Sequence, residues 1–235
     1  MLALMAVLAM GALSATAASG AGLGGIGEGE NEEIWLHGTD EGEPISHPLT
    51  AFEGITKCNS ATYTGGKVDA TDKNGDHEPF VQASSFTLTP HYEGCTNAGG
   101  LPETVTMNGC DYDINIGETI ETNKYSVTAD LTCPTGKEVT IDVYGNETAH
   151  TAGSVLCTIH IASAEGLKGG YLLDETNGHV TLGGKIGPFP VVLTGPSACA
   201  GKTVTDPNGF LDVAITLTGS DAATAGNPVP IGVFE

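Results

Sequence analysis

The sequence predicts an all-β, antiparallel β-sandwich stapled by disulfides, built as one large sandwich or two small ones in tandem. Three observations carry that expectation. The 34 glycines and 12 prolines cut the chain into short segments, and no stretch sustains the 3.6-residue apolar period of an amphipathic helix. The intervening segments are rich in Thr and Val, with few aromatics, and they alternate apolar with polar residues as half-buried strands do. The 6 cysteines form an even set, as a disulfide framework requires.

Residues 1–18 are uncharged and mostly apolar, and Ala15-Thr16-Ala17 is a small-x-small site. This reads as a secretory signal peptide cut near Ala17 or Ala18, although no Lys or Arg precedes the apolar run. Residues 19–44 are Gly-rich and then acidic (Glu28, Glu30, Glu32, Glu33, Asp40, Glu41), which is linker composition. Only Ile34-Trp35-Leu36 suggests a short strand there. The run from Gly22 to Gly27 spells G-x-G-x-x-G. A dinucleotide site needs a strand before those glycines and a helix N-terminus after them, and neither flank fits. The body is expected to span 45–235, with an internal boundary near 117–124.

The run Asp72-Lys73-Asn74-Gly75-Asp76-His77-Glu78 places oxygen side chains at alternate positions, as the first half of a calcium loop does. Its glycine stands fourth rather than sixth and no Glu follows at the twelfth place, so a polar turn explains the same letters. Asp72, Asn74, Asp76 and Glu78 are therefore the candidate metal ligands, and calcium is the candidate ion. No other cofactor is expected.

The most regular stretch is Phe86 to Val143. Asn108-Gly109 is a strong turn signal, since both residues tolerate positive φ. A two-residue hairpin there pairs Met107 with Cys110 and Val105 with Tyr112. Tyr125, Val127, Ala129, Leu131 and Cys133 alternate with polar residues up to Pro134-Thr135-Gly136, and Val139, Ile141 and Val143 alternate after it. A second hairpin there pairs Leu131 with Val139, leaving Cys110 and Cys133 on the core side. Further strands are expected at Val155–Ile161, His179–Leu182, Phe189–Leu193, Phe210–Leu217 and Val229–Phe234.

The segments FTLTPHYEGC (86–95), VTMNGCDY (105–112), LTCPTGKEVTI (131–141) and PVPIGVFE (228–235) resemble a group of uncharacterised secreted actinobacterial β-rich proteins. The resemblance covers roughly Ile45 to Glu235 and rests on cysteines and turns. It implies secretion and disulfides, and it brings no known activity or site. The expected bridges are Cys58–Cys95, Cys110–Cys199 and Cys133–Cys157, one of many connectivities that six cysteines allow. No C-x₂₋₄-C pair occurs, so a thiolate zinc site is not expected.

Charge narrows the partners. Against 29 Asp and Glu stand 8 Lys and no Arg, a net charge of −21, which repels phosphate backbones and anionic head groups. Nucleic acid and polybasic docking to a membrane are disfavoured on that basis, and no stable membrane insertion is expected once the signal segment is removed. No G-x-S-x-G or H-E-x-x-H pattern is present, and Gly195 to Thr203 has the wrong spacing for a phosphate loop. The 7 histidines are scattered; His150 and His160 with Ser154 are the nearest to a catalytic grouping. Asn146-Glu147-Thr148 is a glycosylation sequon. The expected function is a secreted or cell-surface, non-catalytic protein of structural or adhesive role. The alternative is an extracellular module for a glycan, assisted by calcium.

Overall fold

The computed structural model describes residues 21–25, 33–40, 49–52, 54–69, 83–145, 155–175, 177–195, 203–221 and 226–234. Outside them lie residues 1–20, with the targeting segment and its cleavage site, and also Asp72, Asn74, Asp76, Glu78, Asn146, His150, Ser154 and Cys199. The described chain is all-β. Its strands are β1 (Gly22–Gly25), β2 (Glu33–Asp40), β3 (Leu49–Ala51), β4 (Gly54–Lys57), β5 (Ser60–Asp69), β6 (Ser85–Glu93), β7 (Cys95–Asn97), β8 (Pro102–Thr106) and β9 (Asp111–Glu121). There follow β10 (Lys124–Thr132), β11 (Val139–Tyr144), β12 (Val155–Ile161), β13 (Ala164–Glu175), β14 (His179–Thr194), β15 (Val204–Ser220), β16 (Pro228–Val229) and β17 (Ile231–Phe234).

Every ladder is antiparallel. One circuit of strands runs β15–β2–β5–β6–β9–β10–β13–β14 and closes on β15; a second runs β14–β12–β11–β8–β7–β4–β3 and also closes on β15. The long pair β14–β15 belongs to both, since Val180 pairs with Leu217 at one end and Leu193 with Val204 at the other. The two circuits are thus joined along one shared strand pair within an all-β, disulfide-stapled body.

The central stretch differs from its expected pairing. Asn108 and Gly109 do take positive φ (53° and 82°), and Cys110 N–H donates to Met107 O at 2.9 Å. The strands flanking this turn do not pair with each other, however. Val105 pairs with Ile141 and Tyr112 with Leu131. Likewise Leu131 does not meet Val139 across Pro134-Thr135-Gly136, where Lys137 N–H closes a turn on Pro134 O at 2.8 Å. Residues 102–121 and 124–144 form one long two-stranded ribbon, and both tight turns are corners in its middle. The true hairpin end is Thr122-Asn123, with Asn123 at φ 60°. The boundary expected near 117–124 falls on this end, where β9 and β10 pair from Glu121 and Lys124 onward.

A second ribbon bends in the same way. Gly54–Asp69 pairs with Ser85–Asn97, first through β5 and β6 and then through β4 and β7. Each bend carries a disulfide. Cys58–Cys95 joins the second ribbon, as expected, and Cys110–Cys133 joins the first. The expected Cys110–Cys199 and Cys133–Cys157 bridges are therefore corrected. Once the two turns lie at one corner, Cys110 and Cys133 are neighbours and bond to each other, which leaves neither for Cys157 or Cys199. Cys157 is itself disulfide-bonded, with its partner outside the described residues.

Within the extension expected over 19–44, the strand suggested at Ile34-Trp35-Leu36 is present as β2, which lies inside the sheet between β15 and β5 with Ile34 and Leu36 1% and 0% exposed. Gly22–Gly25 forms a strand against β17, with Gly22 opposite Phe234 and Gly25 opposite Ile231. A side chain at Gly25 would collide with Ile34, so glycine there lets this strand pack closely on β2.

Inward residues alternate as the sequence predicts: Leu88, Ile114, Val127, Leu172, Leu182, Ile215 and Leu217 are buried in one continuous core. Tyr63, Tyr92 and Tyr112 meet at its waist, Tyr63 edge-on to Tyr92 with centroids 6.2 Å apart and the Tyr92 and Tyr112 hydroxyls 3.5 Å apart. The three rings cluster inside the body, where burial pushes all three phenols above their usual range. Voids of about 40 and 20 Å³ flank this waist, too small for an organic ligand.

Candidate functional site

The outer face of the closed sheet is polar because the pleat turns every second residue outward. On β2, burial of Ile34 and Leu36 turns Trp35 and His37 out. On β15, burial of Val213, Ile215 and Leu217 puts Thr218 and Ser220 in the opposite phase. Register then fixes the pairs: Thr218 lies opposite His37 and Ser220 opposite Trp35. The result is a direct contact, His37 Nε2 to Ser220 Oγ at 2.8 Å.

Three further segments wall this contact into a cleft of about 500 Å³. β16 crosses the end of β15, with Pro228 opposite Ser220, so that Ser220 is 6% exposed although it points outward. The Asp221 carboxylate holds the approach to β16 by accepting from Asn227 N–H at 2.7 Å and Asn227 Nδ2 at 2.8 Å. The turn joining β13 and β14 supplies Asn177, Gly178 and His179. Gly178 takes φ 82°, and its carbonyl accepts from Ile231 N–H at 2.9 Å. A side chain at Gly178 would collide with Pro230, so glycine lets the turn and the C-terminal strand approach.

The chemistry of this lining is distinctive for so acidic a chain. Among the described residues its polar groups are His37, Asn177, His179, Thr218 and Ser220, and none of the described lining residues is Asp, Glu or Lys. Among the described residues no three His, Cys, Asp or Glu converge as a metal set.

Other polar groupings lie elsewhere. His160, named in the sequence with His150 and Ser154, instead bonds Glu138 Oε1 through Nδ1 at 2.6 Å and Thr194 Oγ1 through Nε2 at 2.8 Å. On the face of β6, β9 and β10, Thr87 and Thr132 donate to the two oxygens of Asp113 at 2.6 and 2.7 Å, and Thr89 donates to Asp111 at 2.7 Å. Hydroxyls rather than cations satisfy these acids. Glu103 is the exception. It is 5% exposed, one of its oxygens has no partner, and burial raises it to about 7 against the pull of a Thr56 hydrogen bond.

The candidate calcium ligands Asp72, Asn74, Asp76 and Glu78 lie outside the described residues. The cleft residues carry no local motif, since His37 and Ser220 are 183 positions apart. The available signal is strand phase alone: polar residues alternating with the buried stripes of β2 and β15. Compared with family models, curated proteins and solved structures, the chain matches none.

Proposed function

We propose that this protein works outside the cell, secreted or surface-bound, as a rigid β-module whose cleft holds an uncharged, hydroxyl-rich ligand, with neutral glycans as the natural class. The imidazole, amide and hydroxyl groups of the described lining carry the reading, since they exchange hydrogen bonds with sugar hydroxyls. An anionic ligand meets the net charge of −21.

Disulfides in the described body suit an oxidising compartment, as do the signal-like segment and the resemblance to secreted proteins. The inside is apolar and the outside carries Thr and Asp, the reverse of a membrane barrel. A structural or adhesive role follows if the glycan belongs to a cell surface. Calcium held by Asp72, Asn74, Asp76 and Glu78 is a further part of this proposal, and a melting temperature unmoved by millimolar calcium removes it.

Calorimetric titration with a panel of neutral oligosaccharides tests the main reading. Saturable binding, weakened about tenfold by His179→Ala through loss of one hydrogen bond, is the expected result. Silence across the panel overturns it.

A further inference from the structure

We propose that the same cleft is an acyl-transfer site, with Ser220 as nucleophile and His37 as its general base, cleaving acyl esters of an uncharged hydroxyl-rich alcohol such as an O-acylated sugar. The alcohol class rests on the reading above; the acyl chemistry does not.

The Ser220 hydroxyl and His37 Nε2 stand 2.8 Å apart, within the reach that proton transfer to a base requires. Both groups line the cleft and both belong to paired strands, whose register sets their separation more firmly than two loops would. Asn177 lines the same cleft. Its Oδ1 accepts from His179 N–H at 3.3 Å, so its amino group is the end we assign to a developing oxyanion. The Glu138–His160–Thr194 chain is a less suitable centre. Its threonine is a secondary alcohol, a more hindered nucleophile than the primary hydroxyl of Ser220.

In the reaction, Ser220 Oγ bonds to the ester carbonyl carbon as its proton passes to His37 Nε2. The carbonyl electron pair moves onto oxygen, facing Asn177, and returns as the ester C–O bond breaks. His37 gives its proton to the departing alcohol. Water then attacks the acyl-Ser220 carbonyl, His37 takes and returns its proton, and the products are a carboxylic acid and free Ser220. Only water is consumed.

The test uses the full chain with a small fluorophosphonate, followed by intact mass and peptide mapping, alongside hydrolysis of a chromogenic acetyl ester. The proposal expects one phosphonyl adduct, on Ser220. It expects turnover lowered about 100- to 10,000-fold by His37→Gln, at least as far by Ser220→Ala, and unchanged by His160→Ala. An absent or misplaced adduct overturns it, as does a folded Ser220→Ala variant that hydrolyses at the unaltered rate. Glycan binding by Ser220→Ala is measured separately. If labelling occurs and neutral glycans do not bind, the acyl chemistry stands and the alcohol class falls.

Discussion

Cys110 and Cys133 stand one residue beyond the last ladder pair of β9 and β10, Asp111 opposite Thr132, and a disulfide joins them across 23 positions. Beyond them both strands leave the first circuit and re-pair as β8 and β11 in the second, Thr106 opposite Thr140. The bridge holds the ribbon together where its backbone ladder is interrupted.

Removing this bridge should therefore weaken the whole body. In the chain-entropy picture a loop of this size contributes roughly 3 kcal/mol. The Cys110→Ser, Cys133→Ser double variant is expected to lower the denaturant midpoint accordingly. A midpoint unchanged from the oxidised protein contradicts a stapled corner.

Gly109 offers a second test of the corner. Its φ is 82°, and an added Cβ would come within 3.3 Å of Pro134 Cγ on the neighbouring turn. Gly109→Ala is expected to cost about 1–2 kcal/mol through the left-handed backbone alone, with the contact to Pro134 adding to it. Gly136 has φ 73° with open space around it, so Gly136→Ala should cost less. Equal midpoints for the two variants would show that the turns do not touch.

Glu103 makes a pH prediction. Its ordinary value is 4.5 and burial raises it to about 7 in the folded protein. Below the lower value both states are protonated and no penalty arises. Between the two, folding retains a proton that the unfolded chain has released, so stability falls as pH rises, and the loss is complete above the upper value. Its size is on the order of 2–3 kcal/mol. Glu103→Gln keeps the shape and removes the charge, and should flatten the fall between pH 5 and 8. Identical pH slopes for the two proteins would falsify the assignment.

Thr87 and Asp113 provide a local check on the acidic face. Thr87→Ala removes one of the two hydroxyls on Asp113, with an expected loss of about 1 kcal/mol. Thr87→Ser, which keeps the donor, should recover most of the hydrogen-bond loss. If serine and alanine behave alike, side-chain packing rather than the hydrogen bond matters there.

Strand phase was legible in the sequence, because burial obeys the two-residue period: Val127, Ala129 and Leu131 face inward as alternation requires. Strand partners were less so. Asn108-Gly109 has the backbone of a hairpin turn, but the choice between hairpin end and ribbon corner depends on which strands lie alongside. Here Ile141 competes with Tyr112 for Val105, and both are apolar. Cys58–Cys95 is present as expected, whereas the bridges expected of Cys110 and Cys133 fail for the same reason, since these two become neighbours only when two turns share one corner. The cleft was illegible because His37 and Ser220 come from opposite ends of the chain, and their meeting is set by the register of β2 on β15.

Two-dimensional NMR of ring-labelled histidines, followed during titration with neutral oligosaccharides, tests the binding reading most directly. The account predicts that the His37 and His179 signals shift saturably together while those of His91 and His160, outside the cleft, stay in place. Shifts confined to His91 or His160, or none with any neutral sugar, would contradict it.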